Sequence, residues 1–267
     1  MLTEHLGKAR RLAAFLAIAS AMSCFAPAQA ESSEDDERPR LAGVWFSEQS
    51  FHHENVSADG LFATTEAPPP LPGGEPHLRE PYASAYREAQ NSEPAGSGDF
   101  TLPADTEAQC HPDGMPKMMR GILPIEILQE PGKLVVLTEE LSQVRRIFIG
   151  DPMPPLEELA QSYAGYSVGR WEGDTLVVDT AAILPQVNFI GLPNSGKVTV
   201  TERFRLAAPD RLEIAFTYSD PEVLAEPYQF TWTYERNDQH RILEYICDSN
   251  RYSAQPDGTL SFTIDQL

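Results

Sequence analysis

From Ile122 to Cys247, apolar and polar residues alternate in one segment after another, with turn-forming residues between the segments. A period of two places successive side chains on opposite faces of an extended strand. In Val198 to Leu206 the residues Val198, Val200, Phe204 and Leu206 share one face, and in Arg211 to Ser219 so do Leu212, Ile214, Phe216 and Tyr218. Phe230, Trp232 and Tyr234 repeat the pattern against Thr231, Thr233 and Glu235, and Leu243, Tyr245 and Cys247 repeat it against Glu244 and Ile246. A meander with one apolar face must curl until that face is buried, or leave it open as an aggregation surface. The expected fold is therefore all-β, an antiparallel up-and-down barrel with a long, partly helical insertion near the N-terminus. A barrel has an interior, and the interior is the first place to look for function.

The N-terminal residues have the layout of a secretory signal. Lys8, Arg10 and Arg11 precede an apolar run from Leu12 to Ala26, and Ala28-Gln29-Ala30 is a small-x-small cleavage site. The run is interrupted by Ser20 and Ser23 and is short for a membrane span, so cleavage is expected to leave a periplasmic or secreted chain with no membrane insertion. Cleavage after Ala30 takes Lys+Arg and Asp+Glu from 20 and 40 to 17 and 39, a net charge of −22. So acidic a surface repels nucleic acid and anionic lipid, which removes both as expected partners. Cys110 and Cys247 alone survive processing, and in an oxidising compartment they are expected to form one disulfide.

The expected organisation is a signal peptide at 1–30, an acidic flexible leader at 31–40, and one barrel domain at 41–267 with an insertion at about 51–120. Leu41 to Glu48 reads as the first strand. Within the insertion, Glu80 to Asn91 carries Tyr82, Ala85, Tyr86 and Ala89 at helical spacing. The later strands are expected at 122–129, 133–139, 143–149, 166–171 and 175–180, followed by those named above. Glu130-Pro131-Gly132-Lys133 fits a type II turn, and Glu172-Gly173-Asp174 a tight hairpin connection.

Charged residues on apolar faces are the first candidates for a site. Glu202 shares its register with Val200 and Phe204, and either Arg145 or Arg146 must also face inward. An unpaired buried carboxylate is costly, so a Glu202–arginine pair is expected, either as a structural ion pair or as a ligand anchor. Tyr218, Trp232, Tyr234 and Tyr245 would line the same interior with aromatic surface. Trp171 and Asp179 fall where they could edge a cavity mouth, although their segment is mainly hairpin chemistry. His111, Met115, Met118 and Met119 form a soft donor set of the kind copper takes, against the simpler reading that Met fills gaps in a core. His52-His53-Glu54 lacks a second pair at zinc spacing. No nucleotide fingerprint, phosphate loop or nucleophile elbow is present, and no cofactor is expected.

Two resemblances add to this reading. Gly43-Val44-Trp45 at the head of the meander is similar to the Gly-x-Trp of lipocalin and calycin barrels, which implies that Trp45 closes one end beneath an arginine from the last strands. More broadly, the chain from Tyr82 to Arg251 resembles a large group of exported bacterial proteins with no assigned activity. The resemblance rests on Cys110-His-Pro-Asp-Gly-Met-Pro-Lys-Met-Met119, Ile125 to Gly132, Arg145-Arg-Ile147, Gly169-Arg-Trp-Glu-Gly-Asp-Thr-Leu-Val-Val-Asp-Thr180, Glu202-Arg203, Asp220-Pro221 and Glu244-Tyr-Ile-Cys247. Members of that group often carry histidines after the Arg-Arg-Ile strand and before the Glu-Arg pair. Here Gly150-Asp-Pro-Met-Pro-Pro155 and Asn194-Ser195 stand instead, so the resemblance implies no histidine chemistry at those positions.

The expected function is a barrel that holds a small apolar or aromatic molecule in its interior. The alternative is a cofactor-independent lyase, isomerase or hydrolase acting on an aromatic or terpenoid substrate, with Glu202 as acid and base. A periplasmic copper-binding protein is the second alternative.

Overall fold

The computed structural model describes residues 38–48, 73–91, 110–120, 123–187, 189–247, 252–254 and 260–262. The expected signal peptide, nearly all of the leader, the His52-His53-Glu54 cluster and much of the insertion lie outside the described residues. The alternating segments form nine strands in a closed ring. They are β1 (Gly43–Ser47), β2 (Ile125–Glu130), β3 (Lys133–Thr138), β4 (Val144–Ile149), β5 (Tyr166–Glu172), β6 (Thr175–Ala181), β7 (Thr199–Ala208), β8 (Arg211–Ser219) and β9 (Tyr228–Arg236). One helix, α1 (Tyr82–Asn91), sits in the insertion, and a separate two-stranded sheet joins β10 (Tyr252–Ala254) to β11 (Leu260–Phe262). The all-β barrel expected from the alternation is the fold observed.

Nine strands cannot close with every neighbour antiparallel, because a ring of odd number must contain a parallel pair. Here that pair is β4–β5, with Ile147 opposite Ser167 and Ile149 opposite Gly169. A parallel step needs a crossover long enough to return the chain to the starting end. Residues 150–165 provide it. With parity restored there, β9 closes on β1 antiparallel, Trp45 opposite Arg236. The expectation of antiparallel pairing thus holds at eight of the nine junctions.

Closure also explains why Leu243 to Cys247 is not a strand, despite its alternation. Once β9 pairs with β1, no free edge is left to pair with. Residues 237–247 instead run as coil over the β3–β4 connection, where the Glu139 carboxylate lies 3.2 Å from His240 Nε2 and accepts the Leu243 amide at 3.1 Å. Cys247 at the end of this coil is disulfide-bonded to Cys110, with Cα atoms 5.5 Å apart.

The two ends of the barrel differ. Tight turns at Pro131-Gly132, Gly173-Asp174 and Pro209-Asp210 make one end, and Gly132 has the positive φ of 73° that a type II turn requires. The other end carries the long connections 48–124, 182–198 and 220–227. At that end the segment around Leu78 bridges to Leu224, and α1 follows with Tyr86 packed against the core. The Glu80 carboxylate accepts the Ser84 amide and hydroxyl at the helix start, 3.3 and 2.7 Å away.

The barrel interior as the candidate functional site

β1 brings Trp45 inside the ring, where its indole N–H donates to the Leu41 carbonyl at 2.9 Å. The guanidinium carbon of Arg236, the last residue of β9, lies 4.4 Å from the centre of the Trp45 ring. Arg236 also donates to the Ala42 and Arg40 carbonyls at 2.8 and 3.1 Å. The approach is so close that a Cβ on Gly43 would meet Asp238 Oδ1 at 2.8 Å and Arg236 Nη1 at 3.0 Å. Those side-chain ends could shift, but Gly43 also has φ of 150°, a backbone conformation that side chains rarely adopt, and it is this that calls for glycine at the first position of Gly-x-Trp.

Further in lies a buried polar cluster. Arg145 is 1% exposed and Glu202 is 0% exposed. The guanidinium grips both carboxylate oxygens, Nη1 to Oε1 at 2.9 Å and Nη2 to Oε2. Its other donors go to Ser167 Oγ at 3.2 Å and Thr180 Oγ1 at 2.9 Å, and those two hydroxyls are 2.9 Å apart. Register explains the gathering: Ser167 sits opposite Thr180 across β5–β6, and Glu202 opposite Val178 and Phe216 across its two neighbours. A bidentate pair with further hydrogen bonds from Nε and Nη2 to hydroxyls is the kind of arrangement that makes a buried ion pair tolerable. Tyr234 lies near the pair, its hydroxyl donating to the Met119 carbonyl at 2.6 Å. Burial, reinforced by the Glu202 charge, holds the Tyr234 phenol well above the usual tyrosine range, although Arg145 opposes the shift.

The rest of the interior is aromatic. Phe216 stacks on Phe230 at 4.8 Å and 6°, and both lie against Trp232, with centroids 4.6 and 4.9 Å away. Phe189 enters from the 182–198 connection and meets Tyr218 at 5.6 Å, Phe230 at 5.0 Å, Trp232 at 6.1 Å and Tyr228 at 6.5 Å. Met115, Met118 and Met119 enter from a second segment, which touches the first: a Cβ on Gly114 would strike the Tyr163 carbonyl and Val187, each at 2.6 Å. Asp220 fastens the Phe189 segment at its base, accepting the Ser195 amide at 2.9 Å and hydroxyl at 2.8 Å.

Two inserted segments thus fill the mouth. Trp45, Phe204, Phe216, Trp232 and Tyr234 are enclosed on every side, with no exposed surface or almost none. No gap the size of a water molecule adjoins them.

Of the residues expected to line a site, Arg145, Glu202, Tyr218, Trp232 and Tyr234 lie together in the interior. Arg146 does not. It faces outward because Arg145 takes the inward register with Ile147. Tyr245 is 37% exposed on the coil after β9, for the reason of closure given above. Asp179 is on the outer face, bound by Arg170 at 2.6 Å and by Thr201 at 2.8 Å, while Trp171 packs partly against the core. Arg170 and Arg203 also grip Glu172 there, and the Arg203 hydrogen bond holds the Glu172 carboxyl below its ordinary range. Of the soft donor set, the three methionines are core while His111 is exposed beside Tyr163. Among the described residues no cluster of His, Cys, Asp and Glu suits a metal ion, and no helix is long and apolar enough to cross a membrane.

Ser167, Thr180 and Phe189 belong to the interior without having been singled out beforehand. The first two carry a faint signal, a hydroxyl at an inward register position. Phe189 carries none, since its segment has no period. No protein-family model and no curated protein matches the chain.

Proposed function

We propose that this is an exported, calycin-like barrel that binds a small apolar or aromatic molecule in its interior. The observation that carries the reading is the aromatic cluster of Phe216, Tyr218, Tyr228, Phe230 and Trp232, against which Phe189 packs from a loop rather than from a strand. Core positions supplied by strands are held by register, whereas one supplied by a loop can be vacated without opening the ring. Because the interior side chains have almost no free surface, the ligand displaces the inserted segment; it does not enter a standing void. The Gly43-Val44-Trp45 opening beneath Arg236 supports the calycin-like assignment. The signal-like N-terminus and the Cys110–Cys247 disulfide support export.

Glu202 fits a structural role better than acid–base catalysis, since both its oxygens are held by Arg145. The test is native mass spectrometry of freshly purified mature protein, joined to displacement of a lipophilic fluorophore. A co-purifying small molecule, or saturable displacement, is expected. A bare mass with no fluorophore bound would leave a filled barrel without a ligand, and the proposal would fall.

A further inference from the structure

The indole N–H of Trp232 is fully buried and has no hydrogen-bond acceptor among the described residues. Leaving a buried donor unmade costs about 1–3 kcal/mol, and native structures rarely do so. A water molecule is no remedy, since the atom has no accessible surface beside it. The neighbouring rings of Phe189, Phe216 and Phe230 offer only π-faces, which are weak acceptors. Trp45, Tyr234 and Arg145 each reach an oxygen; Arg236 Nε is likewise unanswered, but its guanidinium already donates to two backbone carbonyls, whereas the indole has no other donor.

The ring that packs edge-on against this indole is also held at a cost. Ile190, next to Phe189, has a left-handed backbone with φ of 51°, as does Ala182 at the start of the connection with φ of 57°. For non-glycine residues this conformation costs about 1–2 kcal/mol each, and it is rarer still for a β-branched one.

We infer that the volume occupied by the Phe189 ring is a binding subsite for a small, uncharged aromatic molecule with a carbonyl oxygen, which takes the Trp232 indole N–H. This rests on the interior-binding reading above and names its ligand class. A planar ring replaces the contacts of Phe189 with Tyr218, Phe230 and Trp232, and the carbonyl meets the donor that Phe189 cannot. Neutrality follows from the interior charge balance: Arg145, the fully buried cation among the described residues, is already neutralised by Glu202 and leaves no charge for a carboxylate to meet.

The probes are acetophenone and ethylbenzene, alike in shape but differing in the acceptor. The readout is the indole N–H resonance of Trp232 in ¹⁵N-labelled mature protein, which carries three tryptophans and is assigned with Trp232→Phe. Acetophenone is expected to move that resonance saturably, leave those of Trp45 and Trp171 in place, and bind about tenfold more tightly than ethylbenzene, the worth of one hydrogen bond. Phe189→Ala should tighten acetophenone binding by tenfold or more; if that variant does not fold, Phe189→Leu is the substitute and should tighten it several-fold. An unmoved Trp232 resonance at saturating acetophenone in wild type and variant, or equal affinity for both probes, would overturn the inference. If the mass or fluorophore test is positive while Trp232 stays still, this subsite is wrong and the interior-binding reading stands; if all are negative, both fail.

Discussion

The two halves of the barrel interior solve the problem of burying polar atoms in opposite ways. Around Arg145 and Glu202 every side-chain nitrogen and oxygen has a hydrogen-bond partner: the guanidinium reaches two carboxylate oxygens and two hydroxyls, and Tyr234 reaches the Met119 carbonyl. Around Trp232 the indole N–H is unanswered, and Phe189, which packs against the indole, comes from a loop with left-handed backbone at Ala182 and Ile190. The first arrangement is a cross-brace between β4, β5, β6 and β7, complete without any other molecule. The second is incomplete. A charge in a barrel interior is the more conspicuous clue to a site, yet in the reading proposed above the charges brace the scaffold and the neutral indole is the informative group.

The sharpest way to break this contrast is at the pair. Glu202→Gln strands a buried guanidinium, and removing one partner of such a pair costs about 3–5 kcal/mol, or roughly 10 °C in melting temperature for a chain of this size. Replacing both members, with Arg145→Met and Glu202→Met together, should recover most of that loss, because no charge is then left alone in the core. Denaturant midpoints of the single and double variants decide it. A Glu202→Gln protein as stable as wild type would show that the brace is not structural.

Alkaline pH gives a smaller and graded effect. Burial raises the Tyr218 and Tyr234 phenols above the range they have in the unfolded chain. The unfolded state therefore loses these protons first, from about pH 10, while the folded state keeps them. Their contribution is complete below the unfolded value and declines as pH rises beyond it, by up to about 1.4 kcal/mol per pH unit for each phenol. Melting temperature should be flat with respect to these groups up to about pH 9.5 and fall above pH 10. Tyrosine ionisation, followed by ultraviolet absorbance, should coincide with unfolding instead of preceding it.

The smallest effect belongs to the unanswered indole. Trp232→Phe loses packing volume but removes an orphan donor, and the opposing costs leave a net change of less than about 1 kcal/mol. A large Trp to Phe substitution in a well-satisfied core would be felt more. A loss of several kcal/mol in the unfolding free energy would mean that the N–H is answered after all, and would erase the difference between the two halves.

Much of the barrel was legible before any coordinates. The alternation in Val198 to Leu206 and Arg211 to Ser219 placed Glu202 and Tyr218 inward, because a period of two is a property of the extended backbone itself. Pro131-Gly132 marked its turn for the same local reason, and Gly43-Val44-Trp45 foretold an arginine over Trp45. Alternation failed at Leu243 to Cys247, where pattern alone cannot say whether a partner edge exists. It also could not choose between Arg145 and Arg146, since adjacent residues in a strand face opposite ways and each has apolar companions.

The chain's own residues thus determined the strands, their inward faces, the tight turns and the pairing of the only two cysteines left after the expected cleavage, all of which follow from dihedral preference, side-chain period or simple count. Tertiary structure alone decided the parallel step at β4–β5, the choice of Arg145, the meeting of Ser167 with Thr180, and the entry of Phe189 beside Trp232. Each of these depends on residues far apart in the chain being brought to the same place by ring closure. A short segment carries no record of such contacts, because their energy exists only once the ring has formed.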